Sequence, residues 1–75
     1  MARNGSLTVE ERLRRIEGQV RGVEKMVKAQ DTPKKIITQL EAVISSLESV
    51  KVEVIKEELR EKVMKELEGV VSLLK

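Results

Sequence analysis

Apolar residues recur along this chain at alternating steps of three and four. Val9, Leu13, Ile16, Val20, Val23 and Val27 form a first seam of that kind, the pattern of a helix that buries one face. Thr8 stands just before it, with Glu11 three residues on. In that capping box each side chain satisfies an orphan amide of the other residue. The spacing predicts helix one over about 8–29. Asp31-Thr32-Pro33 is a second start signal, with Thr32 as N-cap and Pro33 at the first helical position, where its missing N–H costs nothing. Ile36, Leu40, Val43, Leu47, Val50 and Val54 then repeat the rhythm. Ile37, Ile44 and Ile55 widen the stripe beyond what one neighbouring helix would cover. Helix two is predicted over about 33–60.

A last amphipathic stretch, with Val63, Leu67, Val70 and Leu74, is predicted as a short helix three over about 62–74. No turn chemistry separates it from helix two, so a continuation of the long helix is the alternative. The expectation is a single all-α domain over 1–75, with two long antiparallel helices and a short third. One such chain cannot enclose stripes this wide. Two chains packed antiparallel would do so as a four-helix bundle.

Composition sharpens that expectation. The chain has 75 residues, no Cys, no His, and no Phe, Tyr or Trp. Small domains usually rely on a disulfide, a metal or oligomerisation. Without Cys the first is closed, and without Cys or His a zinc-type site has no good ligands. Homo-oligomerisation is what remains. No secretory signal and no apolar run of membrane-spanning length is visible, and the chain reads as cytoplasmic, with no membrane partner.

Charge is unevenly placed although the net value is only +2. Five of the six arginines (Arg3, Arg12, Arg14, Arg15, Arg21) precede residue 30, a bias that points to an anionic partner or to a salt-bridged bundle surface. Gly18 and Gly22 share the helix face opposite the first seam. Each costs about 1 kcal/mol relative to Ala, so the face accommodates either a close helix crossing or a phosphate backbone.

Residues that could do other chemistry are few. Glu57, Glu58 and Glu61 lie on adjacent turns, but Lys56, Arg60 and Lys62 are interleaved with them, so exposed ion pairs account for them better than a cation site does. Met1, Met26 and Met64 share no helical spacing, and Met26 and Met64 flank the apolar stripes as gap-fillers. No nucleophile with an adjacent base, phosphate loop or cofactor motif is present. An enzyme, a cofactor and a small-molecule substrate are therefore not expected.

The run RLRRIEGQVRGVEKMV from Arg12, together with TQLEAV from Thr38, resembles the CsoR/RcnR/FrmR family of metal-sensitive transcriptional repressors. The resemblance extends over residues 9 to about 60. It implies a three-helix subunit, an antiparallel four-helix-bundle dimer, assembly into a tetramer, and operator DNA as partner. It also implies DNA contacts by positive residues of the first two helices. Arg12 matches the arginine that opens the family motif, and Arg14, Arg15, Gln19 and Arg21 match the positions around it. In helix two, Ile44 stands where several members carry a polar or basic residue. By the same resemblance the family's effector ligands fall on Pro33, Glu58 and Lys62, none of which offers a thiolate or imidazole. The implied protein is a repressor-like DNA binder without the metal or thiol switch. The alternative is a structural bundle protein that has lost DNA binding or co-assembles with a switch-competent paralogue.

Overall fold

The computed structural model describes residues 7–75, which form two helices, α1 (Val9–Lys28) and α2 (Pro33–Leu74), joined as an antiparallel hairpin. Met1 and Arg3 lie outside the described residues. The capping box at the start of α1 is formed on both sides. Glu11 N–H donates to Thr8 Oγ1 at 3.1 Å, and Thr8 N–H donates to Glu11 Oε1 at 3.0 Å. Such a cap contributes about 1 kcal/mol. At the other end, Gln30 takes a positive φ of 57°. Its N–H donates to the Val27 carbonyl, and the Asp31 N–H reaches back to the Met26 carbonyl, both at 3.0 Å. This pair of bonds is a Schellman closure, built on glutamine where glycine is the usual residue. Thr32 then caps α2 by accepting from Lys35 N–H at 3.4 Å, and Pro33 opens the helix.

The seam between the helices is buried only at Ile16 and Val23 of α1 and Val43 and Val50 of α2, with Val9 and Ile36 half-buried at its two ends. In each helix the buried pair is seven residues apart, two turns, which keeps one narrow line in contact. The other members of the two predicted stripes are not covered. Leu13, Val20 and Val27 of α1, and Leu40, Leu47 and Val54 of α2, are 41–55% exposed.

The expected separate third helix is not a separate element. Segment 62–74 is the end of α2, which runs unbroken for 42 residues. No proline or glycine lies between Pro33 and Gly69, and Lys, Glu, Leu, Met and Arg dominate the expected junction, so nothing stops helix propagation there. At about 1.5 Å per residue α1 is roughly 30 Å long and α2 roughly 63 Å. Val9 lines a groove with Glu53, Val54, Glu57, Glu58 and Glu61, so the described part of α1 ends near that stretch and α2 runs on beyond it. The molecule is accordingly elongated, 67 × 25 × 15 Å.

A compact 8.5-kDa monomer would expose about 4,700 Å² by the usual scaling of surface with mass. This chain exposes 6512 Å².

Candidate nucleic-acid interface

The hairpin has two unlike broad faces, and the helical repeat dictates which residues lie on each. Counted from Ile16 at about 100° per residue, Leu13, Val20 and Val27 fall to one side of the buried seam. Arg12, Arg15 and Gln19 fall to the other. In α2, counted from Val43, Leu40, Leu47 and Val54 fall on the same side of the hairpin as Leu13 and Val20, because the helices are antiparallel. Ser46 and Ser49 fall on the side of the arginines. One face is therefore an apolar strip two helices wide, and the opposite face is polar and basic.

On that polar face a groove of about 350 Å³ is lined by Leu7, Arg12, Arg15, Ile16, Gln19, Ser46, Ser49 and Val50. Its floor is the seam, Ile16 and Val50, and its rims carry two guanidinium groups, an amide and two hydroxyls. Arg12 is half-buried and also lines an adjoining groove of about 450 Å³ over the outer side of α2, with Ser45, Ser49, Glu53 and Lys56. Its side chain thus leans across from α1 to α2. No ion pair holds Arg12 or Arg15 among the described residues, in contrast to six exposed Lys or Arg residues that pair within one helix or across its cap. Guanidinium groups without a carboxylate partner are available for phosphate oxygens.

The remaining predicted contacts are placed elsewhere. Arg14 pairs with Glu10 at 3.1 Å, on an exposed face turned away from the groove. Arg21 shares that outer face two turns along. Of the five predicted residues, Arg12, Arg15 and Gln19 converge, whereas Arg14 and Arg21 stand apart. Ile44 is 57% exposed and borders the adjoining groove. An added Cβ at Gly18 or Gly22 would meet nothing within 4 Å, so that face of α1 is open. Ser46 and Ser49 were not anticipated. Their positions become meaningful only once the hairpin sets them opposite Arg12 and Gln19.

The three positions matched to the family's effector ligands do not meet within one chain. Pro33 is at the start of α2, and Glu58 and Lys62 lie about 37 Å or more along the same helix. Lys62 Nζ and Glu58 Oε2 are 3.8 Å apart, on an exposed surface. Arg60 pairs with Glu57 beside them. Met26 is half-buried and Met64 exposed, at opposite ends of the hairpin. Among the described residues no three His, Cys, Asp or Glu side chains converge as a metal site.

The family model described as metal-sensitive transcriptional repressor matches residues 7–75, nearly the whole chain. The chain belongs to the metal-sensitive transcriptional repressor family. That family consists of transcriptional repressors, not enzymes. Within it, the chain is similar to the copper-sensing transcriptional repressor RicR of Mycobacterium tuberculosis (strain ATCC 25618 / H37Rv). The two are 44% identical over 48 residues, 64% of this chain and 50% of RicR. The chain thus spans about half the length of that curated relative. No solved structure matches it. No helix of this repressor-family chain, among the described residues, is long and apolar enough to cross a membrane.

Proposed function

We propose that the chain is the subunit of an oligomeric DNA-binding repressor that grips the phosphate backbone through the groove on its polar face. The observation that carries this reading is the convergence of Arg12, Arg15 and Gln19 with Ser46 and Ser49, on the side of the hairpin opposite its apolar strip. Guanidinium groups supply charge-assisted bonds to phosphate oxygens, and hydroxyl and amide groups fix the register. A second copy covers the strip of Leu13, Val20, Val27, Leu40, Leu47 and Val54, giving an antiparallel four-helix bundle. Because strip and groove are on opposite faces, that dimer carries its grooves outward. Arg14 and Arg21 act as outlying phosphate contacts, with Arg14 exchanging Glu10 for DNA.

The same protein is proposed to lack the family's switch. Copper(I) requires soft thiolate ligands, and nickel or cobalt sites favour imidazole or thiolate. Pro33, Glu58 and Lys62 supply neither. Repression would then be constitutive, or relieved by an input other than a metal or thiol reagent at those positions.

Fluorescence anisotropy against the DNA upstream of the chain's own gene tests the reading. The protein is expected to bind, with an affinity that falls steeply between two salt concentrations. Absence of binding at low salt would contradict it, as would an Arg12→Ala variant that binds as well as the parent.

A further inference from the structure

The groove on the polar face has rims and a recess between them, and DNA uses only the rims. Packed helices lie about 8–10 Å apart, a gap too narrow to admit a duplex, so its phosphates meet the rim side chains. The recess is left over. Its volume of about 350 Å³ lies in the range of small-molecule sites. Its floor, Ile16 and Val50, is buried and apolar, so a polar ligand that enters is held by the walls alone.

Those walls carry polar groups with nothing to hold within the chain. Neither Arg12 nor Arg15 has an ion-pair partner among the described residues, whereas Arg14, between them in sequence, is held by Glu10 at 3.1 Å. The hydroxyls are equally uncommitted. Thr38 spends its hydroxyl on the Lys34 carbonyl one turn back, at 3.0 Å, the usual resort of a hydroxyl inside a helix. Ser46 and Ser49 make no such bond among the described residues, and the Gln19 amide makes none either.

We propose that the recess is an effector site for a small phosphate monoester, which releases DNA by occupying the guanidinium groups of Arg12 and Arg15. Placement and charge select that ligand. Arg12 and Arg15 are three residues apart on α1, and Ser46 and Ser49 three apart on α2, about 4.5 Å of helix in each case. The three terminal oxygens of a monoester can therefore take donors from both helices at once. Near pH 7 a monoester carries a charge of about −1.5 to −2, more than a single phosphodiester of DNA, so phosphate for phosphate it is the stronger partner for two guanidinium groups. Because ester and DNA need the same two side chains, each excludes the other, and release requires no conformational change. This is an input of a kind that Pro33, Glu58 and Lys62 cannot supply.

The inference rests on the DNA-binding reading given above, and phenyl phosphate added to the parent chain tests the two apart. Without DNA, it is expected to raise Tm above the value in sodium chloride of equal ionic strength, with a smaller rise from inorganic phosphate and none from phenol. The rise should vanish in Ser46→Ala combined with Ser49→Ala. It should persist in Lys62→Ala, which removes an exposed cation roughly 20 Å along α2 from Ser49. With DNA present, phenyl phosphate at about ten times its Kd is expected to weaken the apparent DNA affinity about tenfold beyond the effect of salt.

No rise beyond salt overturns the effector site and leaves DNA binding to its own test with Arg12→Ala. A rise that survives the double serine variant overturns the placement in this groove. Inorganic phosphate acting as strongly as the ester overturns the choice of a monoester. A serine-dependent rise in a chain that binds no DNA overturns the role in release together with the DNA-binding reading, and upholds the ester site itself.

Discussion

Lys62 Nζ lies 3.8 Å from Glu58 Oε2, one turn apart on the solvent-facing surface of α2. By resemblance these are positions where the family holds effector ligands, and here they carry an ion pair of the ordinary i,i+4 kind. Both side chains are about 70% exposed, so the pair contributes little to stability. Glu58→Ala is expected to change the unfolding free energy by less than about 0.5 kcal/mol in urea denaturation. A loss of several kcal/mol would mean that the pair is buried in the assembly.

Metal response follows from the same residues. Purified protein titrated anaerobically with copper(I), or with nickel(II), is expected to show no stoichiometric tight complex, because thiolate and imidazole are absent. A tight complex at one metal per chain would refute the proposed loss of the switch.

The turn between the helices offers a separate test. Gln30 sits at φ 57°, where a β-carbon is disfavoured and glycine is at ease. Gln30→Gly is expected to stabilise the protein by about 1 kcal/mol, seen as a higher Tm, since its gain in the native turn exceeds the added freedom of the unfolded chain. A lower Tm would show that the glutamine side chain makes contacts in the assembly that outweigh its strain. At the opposite end of α1, Thr8→Ala removes the acceptor for Glu11 N–H and is expected to cost about 1 kcal/mol.

What the amino-acid order disclosed, and what it concealed, follows from the range of each interaction. Caps at Thr8 and Thr32 and the seam through Ile16, Val23, Val43 and Val50 are local patterns, legible from spacing alone. The left-handed turn at Gln30 is not, because glutamine carries no preference for that region. Near Arg60–Lys62 the apolar stripe allows a separate third helix, but no turn chemistry enforces one. The uninterrupted α2 instead follows helix propensity, which the same residues express strongly. The motif names Arg12, Arg14, Arg15, Gln19 and Arg21 together, because it lists neighbours in sequence without separating helix faces; the hairpin puts Arg12, Arg15 and Gln19 on one groove and Arg14 outside it. Ser46 and Ser49 became part of the groove only through pairing of α1 with α2, a relation that one helix alone does not contain.

The grouping makes a graded prediction for DNA affinity. Arg15→Ala is expected to weaken binding uniformly across sequences and to lower the slope of log affinity against log salt by about 1, the mark of one lost phosphate contact. Arg14→Ala should do less, because Arg14 is paired with Glu10 outside the groove. Ser49→Asp, which places a carboxylate between Arg12 and the incoming phosphate, should weaken binding at least about tenfold. Equal effects at Arg14 and Arg15, with none at Ser49, would move the contact surface to the outer face of α1.

The most direct measurement is the affinity of the chain for the DNA upstream of its gene, by anisotropy at two salt concentrations, for parent and Arg12→Ala, each with and without copper(I). Salt-sensitive binding by the parent, a clear loss in the variant and no change on adding metal is the expected result. A parent that does not bind at low salt, or whose binding copper(I) abolishes, would contradict the account of a DNA-gripping repressor without a metal switch.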